Sequence, residues 1–441
     1  MGATIELCVK NATIVTMDPE CNVIKGGCVC VAGDTIVHVG QDMPSGYEAT
    51  KTLDAQGGLL LPGLINAHTH APMTLFRGLA DDLPLMDWLT RYIFPVEKKM
   101  DEDFVRVGAL LACAEMILSG TTTFCDMYLF EQQVAEAARE AGIRCVVGEV
   151  LYDFPSPNYG QLENGFRYTE DMIKRWQGDP LVSIAVEPHA LFTCSPSLLE
   201  KAADLACRYG VPLITHLAET QDEIEQIVER YGKRPVGHLD DLGLLNDNLI
   251  AVHCVHLNSE EVGLLAEKGV RVIHNPESNM KLASGIAPIP QMLEKGVVVG
   301  IGTDGCASNN NLDLFGEMDT AAKLHKVGSM DPTVMDAVTV VKMATIDGAR
   351  ALGLESVVGS IEIGKKADFI VLAPNKAHLV PIYNPFSHIV YAARGDDVSH
   401  VVINGSLVMH NRELLTIDLQ GLLSRVRAKA ELVRHWVNEA T

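Results

Sequence analysis

The sequence predicts an α/β protein in which a (β/α)8 TIM barrel carries a small β-sandwich domain built from both ends of the chain. Two patterns indicate this architecture. Short apolar strands alternate with helical segments through the middle of the chain, whereas runs of period two, typical of β-strands, lie near both ends. At 441 residues, with 47% hydrophobic and 21% charged residues, the chain is long enough to bury a large core.

The domain boundaries follow from where the pattern changes. Residues 1–59 and 358–441 carry alternating apolar and polar runs, and the first segment is too short to bury a core alone. We therefore predict one antiparallel β domain assembled from both segments, with residues 60–357 inserted as the barrel. The segment from Asp418 to Ala440 is predicted to be a C-terminal helix packed on the outside.

The predicted barrel strands are short apolar runs, and the first of them begins at Leu59. The others are Thr121 to Asp126, Ile143 to Val150, Leu181 to Glu187, Val211 to His216, Leu249 to His253, Val270 to His274 and Val297 to Thr303. The helices predicted between them include Asp101 to Leu118, Glu131 to Ala141, Ser195 to Arg208, Gln221 to Tyr231 and Ser259 to Lys268. An open, doubly wound sheet is the alternative, but no Gly-x-Gly-x-x-Gly turn follows an early strand.

Net charge limits the classes of binding partner, and cysteine content indicates the cellular compartment. The formal net charge of -22 argues against nucleic acid or an anionic membrane surface, and it leaves a small neutral molecule such as a nucleoside possible. The first residues lack the basic start and apolar stretch of a secretion signal. The 11 cysteines are scattered and contain no Cys-x-x-Cys. We therefore expect a cytoplasmic protein.

Polar residues end several predicted strands. His68 and His70 follow the first strand one residue apart, so both imidazoles face the same side of an extended segment. His216 ends the fifth strand and Asp304 ends the eighth. Because the carboxyl ends of barrel strands share one rim, these residues would supply three nitrogens and one oxygen to one divalent metal ion, with zinc expected first. A pair of ordinary surface histidines would explain only the first two.

Two further residues lie beside this set. Glu219 follows His216 by three positions, where it would be close enough to exchange protons with a substrate. It could equally be an acidic residue at a helix start, which the helix dipole favours. His253 ends the sixth strand and is not needed as a ligand, so we predict that it orients the attacking water or supports the ligands.

The combined pattern resembles the amidohydrolase superfamily in its mononuclear deaminase branch, over nearly the whole chain. Within that branch the chain is most similar to the 5-methylthioadenosine/S-adenosylhomocysteine deaminases. The motifs that carry this similarity are Leu85 to Leu89, Phe94 to Glu97, Glu187 to His189, His274 to Leu282 and Gly302 to Gly305. A binuclear site would need a lysine at the end of the fourth strand, where this chain has Val186 to His189. The signatures of the small zinc deaminases and of the zincins are absent.

The resemblance implies hydrolytic deamination of the adenine ring of 5′-methylthioadenosine and S-adenosylhomocysteine, which releases ammonia and the inosine derivative. It implies that Glu97 accepts hydrogen bonds from both ribose hydroxyls, that His189 contacts the sugar or its 5′ substituent, and that Trp88 packs on the ligand. Arg167 is the nearest counterpart of arginines that some members use, but its surroundings do not match, so we assign it no role. The resemblance also implies a homo-oligomer.

The implied mechanism uses three residues of the site. Asp304 would take a proton from the attacking water while His253 holds that water in line. Glu219 would protonate N1 of the purine, and Asp304 would then protonate the leaving amino group. The alternatives are a deaminase or hydrolase of another ring substrate, such as adenosine, guanine, a pyrimidine or a chlorotriazine, and a non-catalytic barrel that acts in assembly.

Overall fold

The computed structural model describes residues 5–43, 45, 48–79, 81–83 and 89–440. Along these residues the chain forms a run of β-strands, then a long α/β segment, then further strands and a terminal helix. The first run consists of β1 Ile5–Val15, β2 Val23–Ala32, β3 Thr35–Gly40, β4 Ala49–Asp54 and β5 Leu59–Pro62. These strands supply one half of the β domain. The prediction that the first barrel strand begins at Leu59 is wrong, because Leu59–Pro62 pairs with β1 in this domain and the barrel strand begins at Leu64.

The α/β segment contains parallel strands that are almost entirely buried. They are β6 Leu64–Thr69, β7 Thr121–Tyr128, β8 Arg144–Leu151, β9 Val182–Ile184, β10 Glu187–Pro188, β11 Leu213–Leu217, β12 Leu249–His253, β13 Arg271–His274 and β14 Val299–Ile301. The strands β9 and β10 pair with β8 in one continuous register and act as a single barrel strand. The predicted strand Leu181 to Glu187 is thus present in two parts.

Two seams close these strands into a barrel. The strands form the parallel sets β10-β8-β7-β6 and β11-β12-β13-β14. At one seam the backbone N–H of Val186 donates to the carbonyl of Pro212, and that of Ile214 donates to the carbonyl of Val186. At the other seam the N–H of Asp304 donates to the carbonyl of His68 at 3.0 Å. The predicted barrel is therefore confirmed, and all carboxyl strand ends lie on one rim.

Helices cover the outside of the barrel. Those in the α/β segment are Glu102–Leu118, Glu131–Ala141, Leu162–Trp176, Pro196–Tyr209, Gln221–Tyr231, Pro235–Asp241, Ser259–Lys268, Pro276–Lys281, Ile289–Glu294, Leu314–Ser329, Ala337–Met343 and Ile346–Ala351. The chain also has short helical turns at Ala71–Phe76, Leu89–Ile93, Phe94–Glu97, Ala377–Leu379 and Gly395–Asp397. Side-chain caps fix several helix starts, as where Asn258 and Glu261 form a capping box.

The helix Leu162–Trp176 was not among the predicted helices. Its buried residues Phe166, Thr169, Met172 and Ile173 recur every three or four positions, which is the helical period. The signal was therefore present in the sequence.

The β domain joins both ends of the chain, as predicted. Its second half is β15 Phe369–Leu372, β16 Val398–Ile403, β17 Ser406–His410 and β18 Glu413–Leu414, and the helix Pro385–Tyr391 precedes β16. The strands form one sheet in the order β18-β17-β16-β15-β5-β1-β2-β3, and β4 also pairs with β1. The expectation of purely antiparallel pairing is wrong, because β1 runs parallel to both β4 and β5.

This sheet curls around its own core. Ile36 in β3 donates its N–H to the carbonyl of Lys365, just before β15, so that the far edge of the sheet returns to its middle. Residues such as Val29, Leu60 and Phe369 fill the enclosed space. The domain limits at residues 59 and 357 stay a prediction.

Several contacts attach the ends of the chain to the barrel. Arg144 at the start of β8 forms a two-pronged ion pair with Asp368 beside β15, with N to O distances of 3.0 and 3.1 Å. The terminal helix Leu419–Ala440 lies against the helix Glu102–Leu118, where the rings of Trp436 and Phe104 are 5.4 Å apart. In the part of the chain that the structure describes, every helix is too short or too polar to cross a membrane.

Candidate metal centre and active site

The four residues predicted as metal ligands meet at one point on the carboxyl rim of the barrel. Nε2 of His68 lies 3.2 Å from Nε2 of His216 and 3.7 Å from Oδ1 of Asp304. Nε2 of His70 lies 3.1 Å from the same Oδ1. His68, His216 and Asp304 are buried, so this group of donors is shielded from bulk water.

The chemistry of these donors fits a divalent cation. Nδ1 of His216 is 2.8 Å from the carbonyl oxygen of His189, and Nδ1 of His70 faces the carbonyl oxygen of Met127. A carbonyl only accepts, so each Nδ1 carries a proton and Nε2 is the nitrogen of each ring that faces the common point. Burial lowers the pKa of His68 and of His216 well below the ordinary value, so both rings are neutral, as a metal requires.

The carboxylate of Asp304 favours positive charge at this point. Burial lowers the pKa of His70, but the contact with Asp304 outweighs it and raises that pKa to about 9. Burial raises the pKa of the Asp304 carboxyl, but the opposing effect of His70 is larger and holds this pKa well below its usual range. The hydroxyls of Ser278 and Ser308 donate to Oδ2 at 2.5 and 2.9 Å, which leaves Oδ1 directed at the histidines.

Two residues on this rim have a strained backbone conformation. His253 has a φ of 72° and Asp304 a φ of 62°, both in the left-handed region that residues with a side chain rarely adopt. Each such residue costs on the order of 1–3 kcal/mol, and the surrounding structure must compensate. The chain therefore turns sharply where its strands deliver these two side chains.

Glu219 lies across the rim from this group. One of its carboxylate oxygens is 3.9 Å from Nε2 of His253, and burial raises the pKa of the Glu219 carboxyl. A raised pKa lets a carboxyl hold a proton closer to neutral pH, as a general acid requires. The loop that carries Glu219 is held by Glu223, whose carboxylate accepts hydrogen bonds from the N–H groups of Ala218 and Glu219, both at 2.9 Å.

His253 is fixed by an amide. Its Nδ1 is 2.9 Å from Oδ1 of Asn279, so the N–H of the imidazole donates to this oxygen. With the proton on Nδ1, Nε2 is an acceptor that faces Glu219 and the space beside the histidines. This arrangement suits a residue that accepts a hydrogen bond from a water molecule.

Glu97 and His189 line the same cavity. Oε1 of Glu97 accepts a hydrogen bond from the hydroxyl of Tyr128 at 2.6 Å, and burial raises the pKa of this carboxyl. Nδ1 of His189 lies 2.8 Å from Oγ1 of Thr193, and burial lowers the pKa of His189 to about 4, so the ring is neutral. Trp88 lies outside the described residues.

The cavity has a volume of about 940 Å³ up to its open mouth. It is lined by His70, Met73, Phe94, Glu97, Met127, Tyr128, Leu129, Val150, Tyr152, Phe154, His189, Ala190, Phe192, His216, Glu219, His253, Leu282, Asp304 and Ser308. Arg167 is not among these residues, and it donates to the side chain of Asn164 on the protein surface. This agrees with assigning it no role.

The sequence analysis missed the residues that hold the site in place. Ser278 and Asn279 belong to the motif His274 to Leu282, which carried the resemblance but received no roles. Glu223 and Tyr128 had no signal of their own, because each acts through a hydrogen bond to a residue elsewhere on the rim.

Comparison with known proteins agrees with this geometry. The amidohydrolase family profile matches residues 59–408. The chain is 59% identical over 437 residues to a 5-methylthioadenosine/S-adenosylhomocysteine deaminase of Syntrophobacter fumaroxidans, which covers 98% of this chain and 100% of the relative. It is 44% identical over 430 residues to a 5′-deoxyadenosine deaminase of Methanosarcina acetivorans, at 97% and 98% coverage.

A solved structure is also similar to this chain in its fold. The crystal structure of an adenosine deaminase from Xanthomonas campestris with bound zinc superposes with a TM-score of 0.95 at 39% identity, over 99% of this chain and 100% of that one. The chain therefore belongs to the amidohydrolase family. Within the family it is an aminohydrolase similar to the 5-methylthioadenosine/S-adenosylhomocysteine deaminases, so the predicted resemblance is confirmed.

Proposed function

We propose that this protein removes the C6 amino group of the adenine ring of 5′-methylthioadenosine and S-adenosylhomocysteine by hydrolysis, which yields ammonia and the inosine derivative. The observation that carries the proposal is that the donors of His68, His70, His216 and Asp304 converge beside Glu219 in one cavity. The names of the relatives support the substrate class.

The site is proposed to hold one zinc ion. His68, His70, His216 and Asp304 would bind it through three imidazole nitrogens and one carboxylate oxygen. When bound, such an ion acts as a Lewis acid that makes water a stronger acid near neutral pH.

Asp304, His253 and Glu219 are proposed to carry the proton transfers. Asp304 accepts the proton of the attacking water, because its carboxylate is the acidic group that lies directly against the histidine nitrogens. His253 accepts a hydrogen bond from that water at Nε2 and so holds it in line with C6. Glu219 gives its proton to N1 of the purine, and its raised pKa favours the protonated form that this step needs. Asp304 then passes its proton to the amino group, which leaves as ammonia, while the C6 hydroxyl becomes the carbonyl of the product and returns its proton to the Glu219 carboxylate.

The sugar is proposed to bind at the opposite wall. Glu97 would accept hydrogen bonds from the two ribose hydroxyls, while Tyr128 holds its carboxylate in place. His189 would contact the sugar or its 5′ substituent, and Trp88 would pack on the ligand. A ring substrate without ribose would leave the half-buried carboxyl of Glu97 without these partners.

The protein is further proposed to act as a cytoplasmic homo-oligomer. All of its cysteines are free, which suits a reducing compartment. Size-exclusion chromatography with light scattering tests the oligomeric state, and a single protomer mass would contradict it.

An ammonia-release screen tests the function. Zinc-loaded enzyme is given 5′-methylthioadenosine, S-adenosylhomocysteine, adenosine, guanine, cytidine and a chlorotriazine in parallel. We expect one ammonia per adenosine derivative and the matching inosine product by chromatography. Release of ammonia from guanine or cytidine, or of chloride from the chlorotriazine, without release of ammonia from any adenosine derivative would overturn the proposal.

A further inference from the structure

The mouth of the cavity carries a group of aromatic rings that the chemistry at the metal centre does not use. Tyr152, Phe154 and Phe192 line the cavity and are called here the mouth aromatics. The rings of Tyr152 and Phe154 are stacked, with centroids 3.8 Å apart and planes at 12°. Phe154 is 42% exposed, which is unusual for so large an apolar side chain.

The mouth aromatics surround His189. The His189 ring centroid lies 5.8 Å from that of Phe192 and 6.5 Å from that of Tyr152, and both pairs meet edge to face. Because His189 is the residue proposed to contact the 5′ end of the sugar, a group attached to C5′ would next meet these rings. This step depends on the proposed function.

No basic side chain shares this wall. Among the described residues, none that lines the cavity is lysine or arginine. The residues outside the described ranges include no lysine or arginine either. The ionisable residues that line the cavity besides its histidines and tyrosines are the carboxyls of Glu97, Glu219 and Asp304. A carboxylate on the 5′ substituent would find no lysine or arginine among these lining residues to pair with it.

Three basic residues close to the lining residues make interactions of their own. Lys281, next to the lining residue Leu282, forms an ion pair with Asp81 at 2.5 Å. Arg230 donates from Nη1 to the carbonyl oxygen of Phe192 at 2.9 Å, on the backbone behind that ring. Arg91 precedes the lining residue Phe94 by one turn and makes interactions of its own.

We propose that the mouth aromatics form a subsite for uncharged, apolar 5′ substituents. The enzyme then prefers 5′-methylthioadenosine over S-adenosylhomocysteine, whose 5′ chain ends in a charged amino acid. Each buried CH2 equivalent of an apolar substituent adds about 0.8 kcal/mol of binding, a factor of about four. An unpaired carboxylate opposes binding instead.

A neutral analogue separates charge from size. The value of kcat/KM is measured for the zinc-loaded enzyme with adenosine, 5′-methylthioadenosine, 5′-butylthioadenosine and S-adenosylhomocysteine. Butylthioadenosine has a 5′ chain like that of S-adenosylhomocysteine but no charge. We expect its kcat/KM to exceed that of S-adenosylhomocysteine about tenfold or more, and equal values, or a higher value for S-adenosylhomocysteine, would overturn the subsite.

Substitutions of Phe154 test whether the mouth aromatics form the subsite. Phe154→Ala should lower kcat/KM for the butylthio substrate several-fold and leave that for adenosine nearly unchanged, because adenosine has no apolar 5′ group. Phe154→Arg should raise the S-adenosylhomocysteine value relative to the butylthio value. Equal losses on adenosine and the butylthio substrate would contradict the subsite.

Arg230→Gln and Arg91→Gln serve as controls. Both should leave the ratio of the two kcat/KM values unchanged, and a selective loss on S-adenosylhomocysteine would show that the replaced arginine binds its carboxylate. If no adenosine derivative releases ammonia, the proposed function fails and the subsite with it. If all are deaminated but the charged substrate is not disfavoured, only the subsite fails.

Discussion

The carboxylate of Glu223 accepts a hydrogen bond from the backbone N–H of Glu219 at 2.9 Å, so a buried acid positions a partly exposed one. A second bond, from the N–H of Ala218, completes the anchor. The loop after β11 is therefore fixed to the first turn of the helix Gln221–Tyr231 rather than free to move.

The first prediction concerns this anchor. Glu223→Ala leaves two N–H groups without an acceptor, at a cost of about 1–3 kcal/mol each, and lets the carboxyl of Glu219 shift. We expect kcat to fall about 10- to 100-fold with metal content unchanged. Glu225→Ala, on the exposed side of the same helix, is the matched control. If Glu223→Gln, which keeps one acceptor oxygen, does not recover part of the loss, the positioning role is wrong.

The second prediction concerns proton transfer. Glu219→Gln keeps the shape of the side chain but removes its proton donor, so we expect kcat to fall by about 10² to 10⁴. Metal content, measured by atomic emission on purified protein, should stay near the wild-type value. Loss of metal would mean that Glu219 is a ligand instead.

The third prediction concerns metal dependence. Removal of the ion with a chelator should abolish activity and lower Tm, and added zinc should restore both. His216→Ala should not recover with zinc, because one of the four donors is missing. His238→Ala removes a buried histidine that stacks on Tyr231 away from the site, and it should retain metal. Full metal content in the His216 variant would contradict the ligand set.

The fourth prediction concerns the joint between the barrel and the β domain. The ion pair of Arg144 and Asp368 is buried, so Arg144→Met should destabilise the protein by about 3–5 kcal/mol because an unpaired carboxylate remains. Arg139→Ala breaks the exposed pair with Asp179 and should cost less than about 1 kcal/mol. Urea unfolding measures both, and equal effects would contradict the prediction.

The fifth prediction concerns pH. Burial raises the pKa of Glu149 from 4.5 to about 7, against hydrogen bonds from the N–H of Glu131 and from Asn158 that lower it. The native state thus binds this proton more tightly than the unfolded state, so stability falls as pH rises from about 4.5 to 7.

Glu149→Gln removes this contribution. The free energy of unfolding of this variant minus that of wild type should increase between pH 5 and pH 8 by up to about 3 kcal/mol. The exposed Glu163→Gln variant should show no such change. A difference from wild type that is constant with pH would show that Glu149 does not titrate in this window.

The convergence of the proposed ligands was predictable from the sequence because each lies at or near the carboxyl end of a strand. His68, His216 and Asp304 follow short apolar runs, and in a barrel such positions must converge, whatever their separation along the chain. The bounds of the helix Gln221–Tyr231 were also predicted to the residue. In the structure Thr220 caps the start of this helix and Gly232 caps its end.

The supporting residues could not be found in that way. Ser308 reaches Asp304 because the chain turns sharply at a positive φ, and the mouth aromatics meet only through the loops after β8 and β10. The parallel pairing of β1 with β5 was also missed, because the alternating pattern of a strand does not encode the direction of its neighbour.

The place of β5 between β1 and β15 affects how the protein is made. A nascent chain presents β1 and β5 early, but β15 leaves the ribosome only after the entire barrel, so one edge of β5 remains unpaired through most of translation. Chaperones that shield exposed strand edges should therefore act before the release of the polypeptide rather than after it.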